Sequence, residues 1–424
     1  MSRRILVFPC GSEIGLEIHR ALQFSTHFTL VGGSSVDDHG RFVFEDYVGG
    51  LPFHNAPGFV EALQQVIVQH DIDAIYPAMD AVADTLKRHE DTLGVRVIGS
   101  DARATAIAAS KAETYAMLDG LVPQPAQYAA LDQVRRWPIF IKPDVGYGSR
   151  HTLVAENADQ AAAFLARHTD KTMLLLDYLP GQEWTIDCFS DRHGALRFHA
   201  ARGRNRISNG ISVNTQASPA FAAEFARYAQ AINTALRPRG AWFFQMKADA
   251  NGQPALLEVA TRLGGSSGLF RGRGINFALL SAFDAFDNDV DLIENTPTLE
   301  LDRALGNRYR LDYRYDEVFV DLDDCLIIRE KVNDQLVAFL FRALSAGKRL
   351  ILVTRHATDP KATLARHRLS DLFDQIVHIQ DKAPKSTFIA RESAIFIDDS
   401  FAERRDVAQV CGIPVFAPDM VEVL

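Results

Sequence analysis

Three short apolar runs in the last quarter of the chain end in side chains suited to metal or phosphate. Val318-Phe319-Val320 leads into Asp321-Leu322-Asp323-Asp324-Cys325. Leu350-Ile351-Leu352-Val353 ends in Thr354, and Ile395-Phe396-Ile397 ends in Asp398-Asp399, with Lys382 and Lys385 just before it. Clustered carboxylates repel unless a cation sits among them, and an oxygen-only donor set favours Mg2+. A metal, a lysine and a hydroxyl make a phosphate pocket. One aspartate can attack phosphorus, giving an aspartyl-phosphate, while a second acts as acid and then base.

A second group lies mid-chain. Ala241–Lys247 and Pro254–Glu258 flank Asn251-Gly252, a strong two-residue hairpin signal. With those two residues as the loop, Gln245 falls opposite Glu258 in a non-hydrogen-bonded pair. There the Cα atoms approach to about 4.5 Å, so two oxygen donors share one face. Upstream, Lys142 ends an apolar strand and is followed by Gly146-Tyr147-Gly148-Ser149, a loop able to hold and cover phosphates. Asp177-Tyr178-Leu179, Glu183, Arg204, Arg206, Asn209-Gly210 and Arg262-Leu263-Gly264-Gly265-Ser266 complete the group. Arg204 and Arg206 can clamp a carboxylate bidentately; the plainer reading is a solvated basic strand.

The elements that must position these residues alternate in type. Residues 5–8, 28–32, 74–76 and 95–98 read as strands and 57–69 as a helix, an α/β pattern with parallel pairing. Gly11 and Gly15 mark a plain strand–helix turn, not a dinucleotide fingerprint. Residues 101–118 read as Ala-rich helix. From Met173 to Val259 the runs look antiparallel, interrupted by a helix over Pro219–Leu236 with Ser218 as its N-cap. The Arg- and Tyr-rich stretch 306–316 reads as a linker. After it α/β alternation returns. An open α/β sheet binds ligands beyond its strand carboxyl ends, so Asp321, Asp323, Thr354 and Asp398 are expected to meet there.

Composition bounds the function. The chain has 424 residues with 45 basic and 54 acidic side chains, a formal charge of −9. At about 100–200 residues per domain this means several domains. The acidic balance argues against binding nucleic acid by bulk charge. Four scattered cysteines signal neither a zinc module nor a disulfide framework, which fits a reducing, cytoplasmic setting. No apolar run reaches membrane-spanning length, and no signal-peptide core follows Arg3-Arg4.

Residues 316–424 resemble the haloacid dehalogenase-like (HAD) phosphotransferases. The resemblance makes Asp321 the nucleophile and Asp323 the general acid/base. It puts the hydroxyl on Thr354 and the lysine on Lys385 rather than Lys382. Asp321, Asp323 and Asp398 become the metal set. Cys325 stands where Thr or Val is commoner. Spacing leaves no room for a separate cap domain.

Residues 1–300 resemble the ATP-grasp superfamily, near its carbamoyl-phosphate-synthase-like and carboxylate–amine ligase branches. The nearest subgroup is one linked with tellurium-resistance gene clusters. This resemblance implies that Lys111 and Lys142 bind ATP phosphates under the loop of Gly146, Gly148 and Ser149. Asp177–Leu179 would line the adenine pocket and Glu183 reach ribose. Gln245 and Glu258 would hold Mg2+ or Mn2+, Arg262 would steady the transferred phosphoryl group, and Arg204 and Arg206 would take substrate. One departure stands out: the usual Glu-x-Asn is here Glu258-Val259-Ala260, and alanine cannot ligate.

The fold expected is therefore α/β and α+β multidomain. A pre-ATP-grasp α/β domain spans 1–100 and an ATP-grasp domain 101–305. The linker spans 306–316, and a capless HAD-like Rossmannoid domain 317–424. The expected function is bifunctional: an ATP-dependent ligase joining a carboxylate to an amine or related nucleophile through an acyl phosphate, and a Mg-dependent phosphatase. Its partners would be a small carboxylate, an amine and a phosphorylated small molecule, in a homodimer as in many ATP-grasp ligases. Rival readings make the C-terminal domain regulatory, make the whole a nucleotide-binding sensor, or make the grasp half a specificity cap for the phosphatase.

Overall fold

The computed structural model describes residues 2–424 apart from 147–149, 209, 305–306 and 390. The chain opens with β1 (Arg3–Phe8), α1 (Glu13–Leu22), β2 (Phe28–Gly33), β3 (Asp46–Val48) and α2 (Phe59–Gln69). It continues with β4 (Ala74–Pro77), α3 (Asp80–Arg88), α4 (Glu90–Leu93) and β5 (Arg96–Val97). The five strands pair in parallel in the order β3-β2-β1-β4-β5. Ile5, Leu6 and Val7 are consecutive and fully buried, as a strand covered on both faces requires. Ser12 caps α1 by accepting from the Gly15 N–H at 3.0 Å.

The Ala-rich stretch forms two helices, α5 (Ala102–Ala109) and α6 (Lys111–Met117). They break at Ser110, which caps α6 and donates to the Asp144 carboxylate at 3.0 Å. A serine that bonds nearby backbone favours a helix start over a helix interior. Next, β6 (Gln127–Tyr128), β7 (Ile139–Pro143), β8 (Leu153–Ala155) and β9 (Met173–Asp177) form an antiparallel sheet ordered β6-β9-β7-β8, covered by α7 (Ala158–Leu165).

A seven-stranded antiparallel sheet follows. Its strands are β10 (Glu183–Ser190), β11 (Leu196–Ser208), β12 (Ile211–Ala217), β13 (Gly240–Ala248), β14 (Pro254–Ala260), β15 (Leu299–Arg303) and β16 (Asn307–Leu311), ordered β14-β13-β10-β11-β12-β15-β16. Alternation gives it two unlike faces. Trp184, Ile186, Cys188, Trp242, Phe244 and Met246 pack on α8 (Ala222–Leu236) through its Phe225, Tyr228, Ala229, Ile232 and Leu236 stripe. The other face carries the polar residues of the site. Helix α8 begins at Ala222, not Pro219, because Phe221 is left-handed (φ 53°) and sends its ring edge-on to Trp184 at 5.4 Å.

Two further expectations need correction. The stretch read as a linker includes β16, which pairs along β15 from Leu299↔Leu311 to Arg303↔Asn307. Tyr309 and Leu311 face the core there, so the alternation of Tyr and Leu with polar residues was a strand pattern. The hairpin after β13 has a longer loop than Asn251-Gly252: Asp249 N–H donates to Gln253 C=O at 2.8 Å, and Ala248 pairs with Pro254. A bulge then shifts the register by one and restores the expected Gln245↔Glu258 pair.

Helices α9 (Gly268–Gly272) and α10 (Phe277–Ala285) join the core of the N-terminal sheet. The remainder is a parallel sheet ordered β21-β20-β17-β22-β23. Its strands are β17 (Glu317–Val320), β20 (Arg349–Thr354), β21 (Gln375–His378), β22 (Ala394–Ile397) and β23 (Val415–Phe416). A small hairpin, β18 (Ile327–Ile328) and β19 (Lys331–Val332), precedes α11 (Asp334–Ser345); α12 (Pro360–Arg366) and α13 (Phe401–Cys411) complete the layers. Only this hairpin and α11 lie between Asp321 and Thr354, so no cap domain is inserted there.

Residues 415–424 lock the three parts together. Arg271 is buried, donates to Glu17 Oε1 at 2.9 Å and to Asp419 C=O at 2.7 Å, and pairs with Glu422. Asn276 donates to Asp419 Oδ2 at 2.8 Å. Asn295 donates to Val415 C=O at 2.8 Å and accepts from Val415 N–H at 3.3 Å. All four cysteines are buried and free. Among the described residues no helix is long and apolar enough to cross a membrane.

Candidate active sites

A cavity of about 280 Å³ opens between the four-stranded sheet and the polar face of the seven-stranded sheet. Lys111, Lys142, Gly146, Asp177, Leu179, Glu183, Arg204, Gln245 and Glu258 all line it. Its apolar wall is Phe140, Val154, Leu176, Leu179 and Leu257.

Lys142 is only 6% exposed, and its Nζ donates to Tyr115 Oη at 2.9 Å and Leu257 C=O at 2.8 Å. Burial pushes its pKa down to about 7, with Glu258 pulling it back up and Lys111 adding to the fall. Lys111 donates to the carbonyls of Asp144 at 3.1 Å and Gly146 at 3.2 Å. Lys111 thus reaches the start of the glycine-rich stretch, whose Gly148 and Ser149 lie outside the described residues, while Lys142 is held by α6 and β14. The Asp177 carboxylate accepts from Tyr128 Oη at 2.5 Å. Glu183 bridges two cations, Arg204 at 3.0 Å and Lys247 at 2.9 Å.

Arg206 does not join Arg204. A bulge at Asn205 separates the pairs Arg204↔Thr215 and Arg206↔Asn214, and Arg206 is exposed on Asp302. A bulge re-aims the side chains beyond it, which breaks the alternation that would keep the two arginines together. Arg262 lies beyond the cavity wall. It pairs with Asp80 at 2.8 Å and sits 5.3 Å from the Phe243 ring centroid. Ala260 is buried opposite Phe243 and brings no oxygen.

Sequence reasoning missed Tyr115 and Lys247. Tyr115 stands four residues after Lys111 on one helix face, and Lys247 shares strand parity with Gln245. Both signals were present.

The second site is at the carboxyl edge of the C-terminal sheet. Lys385 Nζ lies 2.5 Å from Asp321 Oδ1 and 2.6 Å from Asp398 Oδ2, all three buried. Lys382 is exposed. Thr354 is fully buried, and its Oγ1 accepts from His356 N–H at 3.1 Å. Asp321, Asp398 and Asp399 each offer an oxygen within 4.8 Å of the others. Asp323 is not in this group; it is held by His356 Nδ1 at 2.9 Å. Burial and the Asp398 charge keep Asp321 well above the usual carboxylate range despite Lys385. Asp399 is pushed up to about 6 by burial and by Asp398. Three carboxylates against one ammonium leave an excess that suits a divalent cation. Arg404, not foreseen, donates to the carbonyls of Asp398 at 2.6 Å and Asp399 at 2.7 Å and so fixes their loop.

Known proteins resemble parts of this arrangement. Residues 169–303 match the sequence profile of a family described as ATP-grasp in the biosynthetic pathway with Ter operon. A search of curated protein sequences finds no significant match. Among solved structures, the biotin carboxylase domain of Hydrogenobacter thermophilus 2-oxoglutarate carboxylase, with MgADP and bicarbonate, superposes with a TM-score of 0.61 at 14% identity. It covers 72% of this chain and 74% of that one. Staphylococcus aureus N5-carboxyaminoimidazole synthetase with ADP gives 0.60 at 14% identity, covering 72% and 82%. Campylobacter jejuni biotin carboxylase gives 0.59 at 16% identity, covering 72% and 76%.

The chain contains an ATP-grasp fold. Within it, the cavity lies between the two antiparallel sheets of the grasp, and the N-terminal α/β sheet shares a core with α9, α10 and the seven-stranded sheet.

Proposed function

We propose that the chain is an ATP-dependent carboxylate–amine ligase joined to a Mg-dependent phosphatase. The ligase would occupy 1–305 and the phosphatase 317–424. The carrying observation is the cavity that gathers Lys111, Lys142, Leu179, Glu183, Gln245 and Glu258 from six segments of sequence. The solved relatives described with ADP agree with a nucleotide there.

In this reading Phe140, Leu176 and Leu179 pack on adenine, and Glu183 turns from its two cations to ribose. Lys111 and Lys142 exchange carbonyl partners for phosphate oxygens. Gln245 and Glu258 would hold Mg2+, which neutralises charge on the phosphates. A substrate carboxylate attacks the γ-phosphorus, ADP leaves, and an acyl phosphate forms. An amine then displaces phosphate from the acyl carbon. The chain supplies position and fixed charge.

At the C-terminal edge, Asp321 would attack a phosphate ester with Thr354 and Lys385 holding its oxygens. Asp323 would protonate the leaving group and then activate water. The donor set that fits Mg2+ is Asp321, Asp398 and Asp399 rather than one including Asp323.

Calorimetry with MgATP and with a non-hydrolysable analogue tests the first half. Release of phosphate from an aryl phosphate, compared with Asp321→Asn, tests the second. No nucleotide binding would overturn the ligase. No hydrolysis of aryl or small-metabolite phosphates would leave the C-terminal unit as a docking module.

A second reading is a nucleotide sensor, favoured by Ala260 at a ligand position. It predicts tight ATP binding without turnover.

A further inference from the structure

One acid at the C-terminal edge stands apart from the others. Asp321, Asp398 and Asp399 converge, whereas Asp323 lies outside their group, on the loop after β17, with its side chain 54% exposed. A carboxylate that open samples several rotamers unless something fixes it. Among the described residues its side chain bonds only to His356. Nδ1 of that ring lies 2.9 Å from Oδ1 and 3.0 Å from Oδ2.

His356 is itself held at every polar atom. It lies in the turn between β20 and α12, and its side chain is 14% exposed. Nε2 lies 2.8 Å from Thr363 Oγ1 and 2.9 Å from Thr358 Oγ1. Its carbonyl accepts from His378 Nε2 at 2.8 Å, and its N–H donates to Thr354 Oγ1 at 3.1 Å. Thr363 is buried on α12, and His378 ends β21. An ionised carboxylate only accepts, so Nδ1 carries a proton and donates to Asp323. Hydroxyls donate or accept, so the two threonines suit Nε2 with or without a proton. The backbone contact occupies a lone pair of the Thr354 hydroxyl and leaves its proton to donate to a phosphate oxygen. Pairing an exposed acid adds little stability. What so well-anchored a ring does fix is the direction of the Asp323 carboxyl.

We infer that His356 is the positioning residue that aims Asp323, and that the C-terminal site is thereby built for phosphate monoesters of alcohols. The inference rests on the phosphatase reading and narrows its substrate. The Nδ1–H bond survives both halves of the reaction. While Asp323 holds a proton, one oxygen accepts from Nδ1 and the other carries that proton; once ionised, both can accept. Asp321 attacks phosphorus, the bond from phosphorus to the ester oxygen breaks with its electron pair, and the Asp323 proton passes to that oxygen, releasing the alcohol. Asp323 then takes a proton from water as the water oxygen attacks the aspartyl-phosphate. Inorganic phosphate leaves and the Asp321 carboxylate is restored. An alkoxide is a poor leaving group, so a well-aimed acid matters most for such esters. An acyl phosphate departs as a carboxylate that needs no proton, so the device does nothing for it, and the acyl phosphate of the ligase half is not the substrate here.

The experiment uses the full chain with Mg2+ and a series of phosphate monoesters graded by leaving group, from dinitrophenyl through nitrophenyl and phenyl to alkyl, with acetyl phosphate beside them. The quantity compared is kcat/KM, which reports the step that expels the alcohol. His356→Ala is expected to lower it by about a hundredfold for the phenyl and alkyl esters, the scale of a misplaced catalytic group. For the dinitrophenyl ester and acetyl phosphate the loss should stay within about threefold, because those leaving groups need no acid. Retained hydrolysis of the dinitrophenyl ester reports a folded site. His356→Asn, whose amide nitrogen falls near the place of Nδ1, should recover about tenfold of the loss. Should His356→Ala fail to fold, His356→Gln, whose amide falls nearer the place of Nε2, makes the same comparison. In an Asp323→Asn background, removing the ring should cost nothing further. Losses of equal size on every ester, or losses that add in the double variant, would reduce His356 to a structural role and overturn the positioning assignment while the phosphatase stands. Acetyl phosphate hydrolysis that falls as steeply as alkyl ester hydrolysis would overturn the substrate class. No hydrolysis of any compound by the unsubstituted chain would overturn the phosphatase reading and this inference with it.

Discussion

The two sites carry opposite imbalances of charge. The grasp cavity is lined by five basic side chains, Lys111, Lys142, Arg150, Arg204 and Lys247, against three acids, Asp177, Glu183 and Glu258. The C-terminal edge sets Asp321, Asp398 and Asp399 against Lys385. The first is poised for an anion, the second for a cation. They also differ in construction. The cavity draws single residues from two antiparallel sheets and a glycine loop, while the C-terminal cluster sits on adjacent parallel strand ends in contact with one another. A cavity of the first kind needs its ligand to bring the parts together. A cluster of the second kind is assembled beforehand and lacks only countercharge.

Breaking the chemistry at one site should spare the other. The largest effect expected is at Asp321→Asn: if the proposed nucleophile is removed, phosphate release should fall at least about a thousandfold while MgATP binding stays as it was. Parallel phosphatase and calorimetric assays check this. Lys142→Met comes next: with a buried cavity-lining cation gone, the proposed MgATP affinity should fall by about a hundredfold with aryl phosphate hydrolysis untouched.

The pH response sharpens the contrast. In the free protein Lys142 titrates near 7, and bound phosphate favours its charged form. Nucleotide affinity should therefore be highest below pH 7 and weaken above it, by at most about tenfold per pH unit. Lys142→Arg should flatten the profile. Stability runs the other way for this residue. Above pH 7 the unfolded lysine holds a proton that the folded one has lost, so the free protein gains stability as pH rises toward the ordinary lysine range. The smallest effect is expected at Ala260→Asn, where a restored oxygen donor should tighten metal-dependent nucleotide binding by about threefold, read by titrating Mn2+.

The C-terminal cluster was the more legible site, because apolar strands ending in acids imply a shared edge whatever the loops do. Lys385 was separable from Lys382 only by motif, and burial now separates them. The grasp residues were legible one by one, yet their grouping depended on register. The bulge beside Gln245 preserved an expected pair, whereas the bulge at Asn205 destroyed another by turning Arg206 away. Neither bulge has a sequence signal of its own. Residues 306–316 misled because charge masked a period of two, and Arg404 was invisible because it acts on backbone carbonyls from a different element.

Arg271 has no single owner. Its guanidinium is satisfied by α1, by the grasp strands and by the last turn of the chain, so no part can leave without stranding a buried charge. Heating should then give one calorimetric transition rather than separate meltings of the N-terminal, grasp and C-terminal parts. A chain with two separate candidate sites would come apart as a single cooperative body.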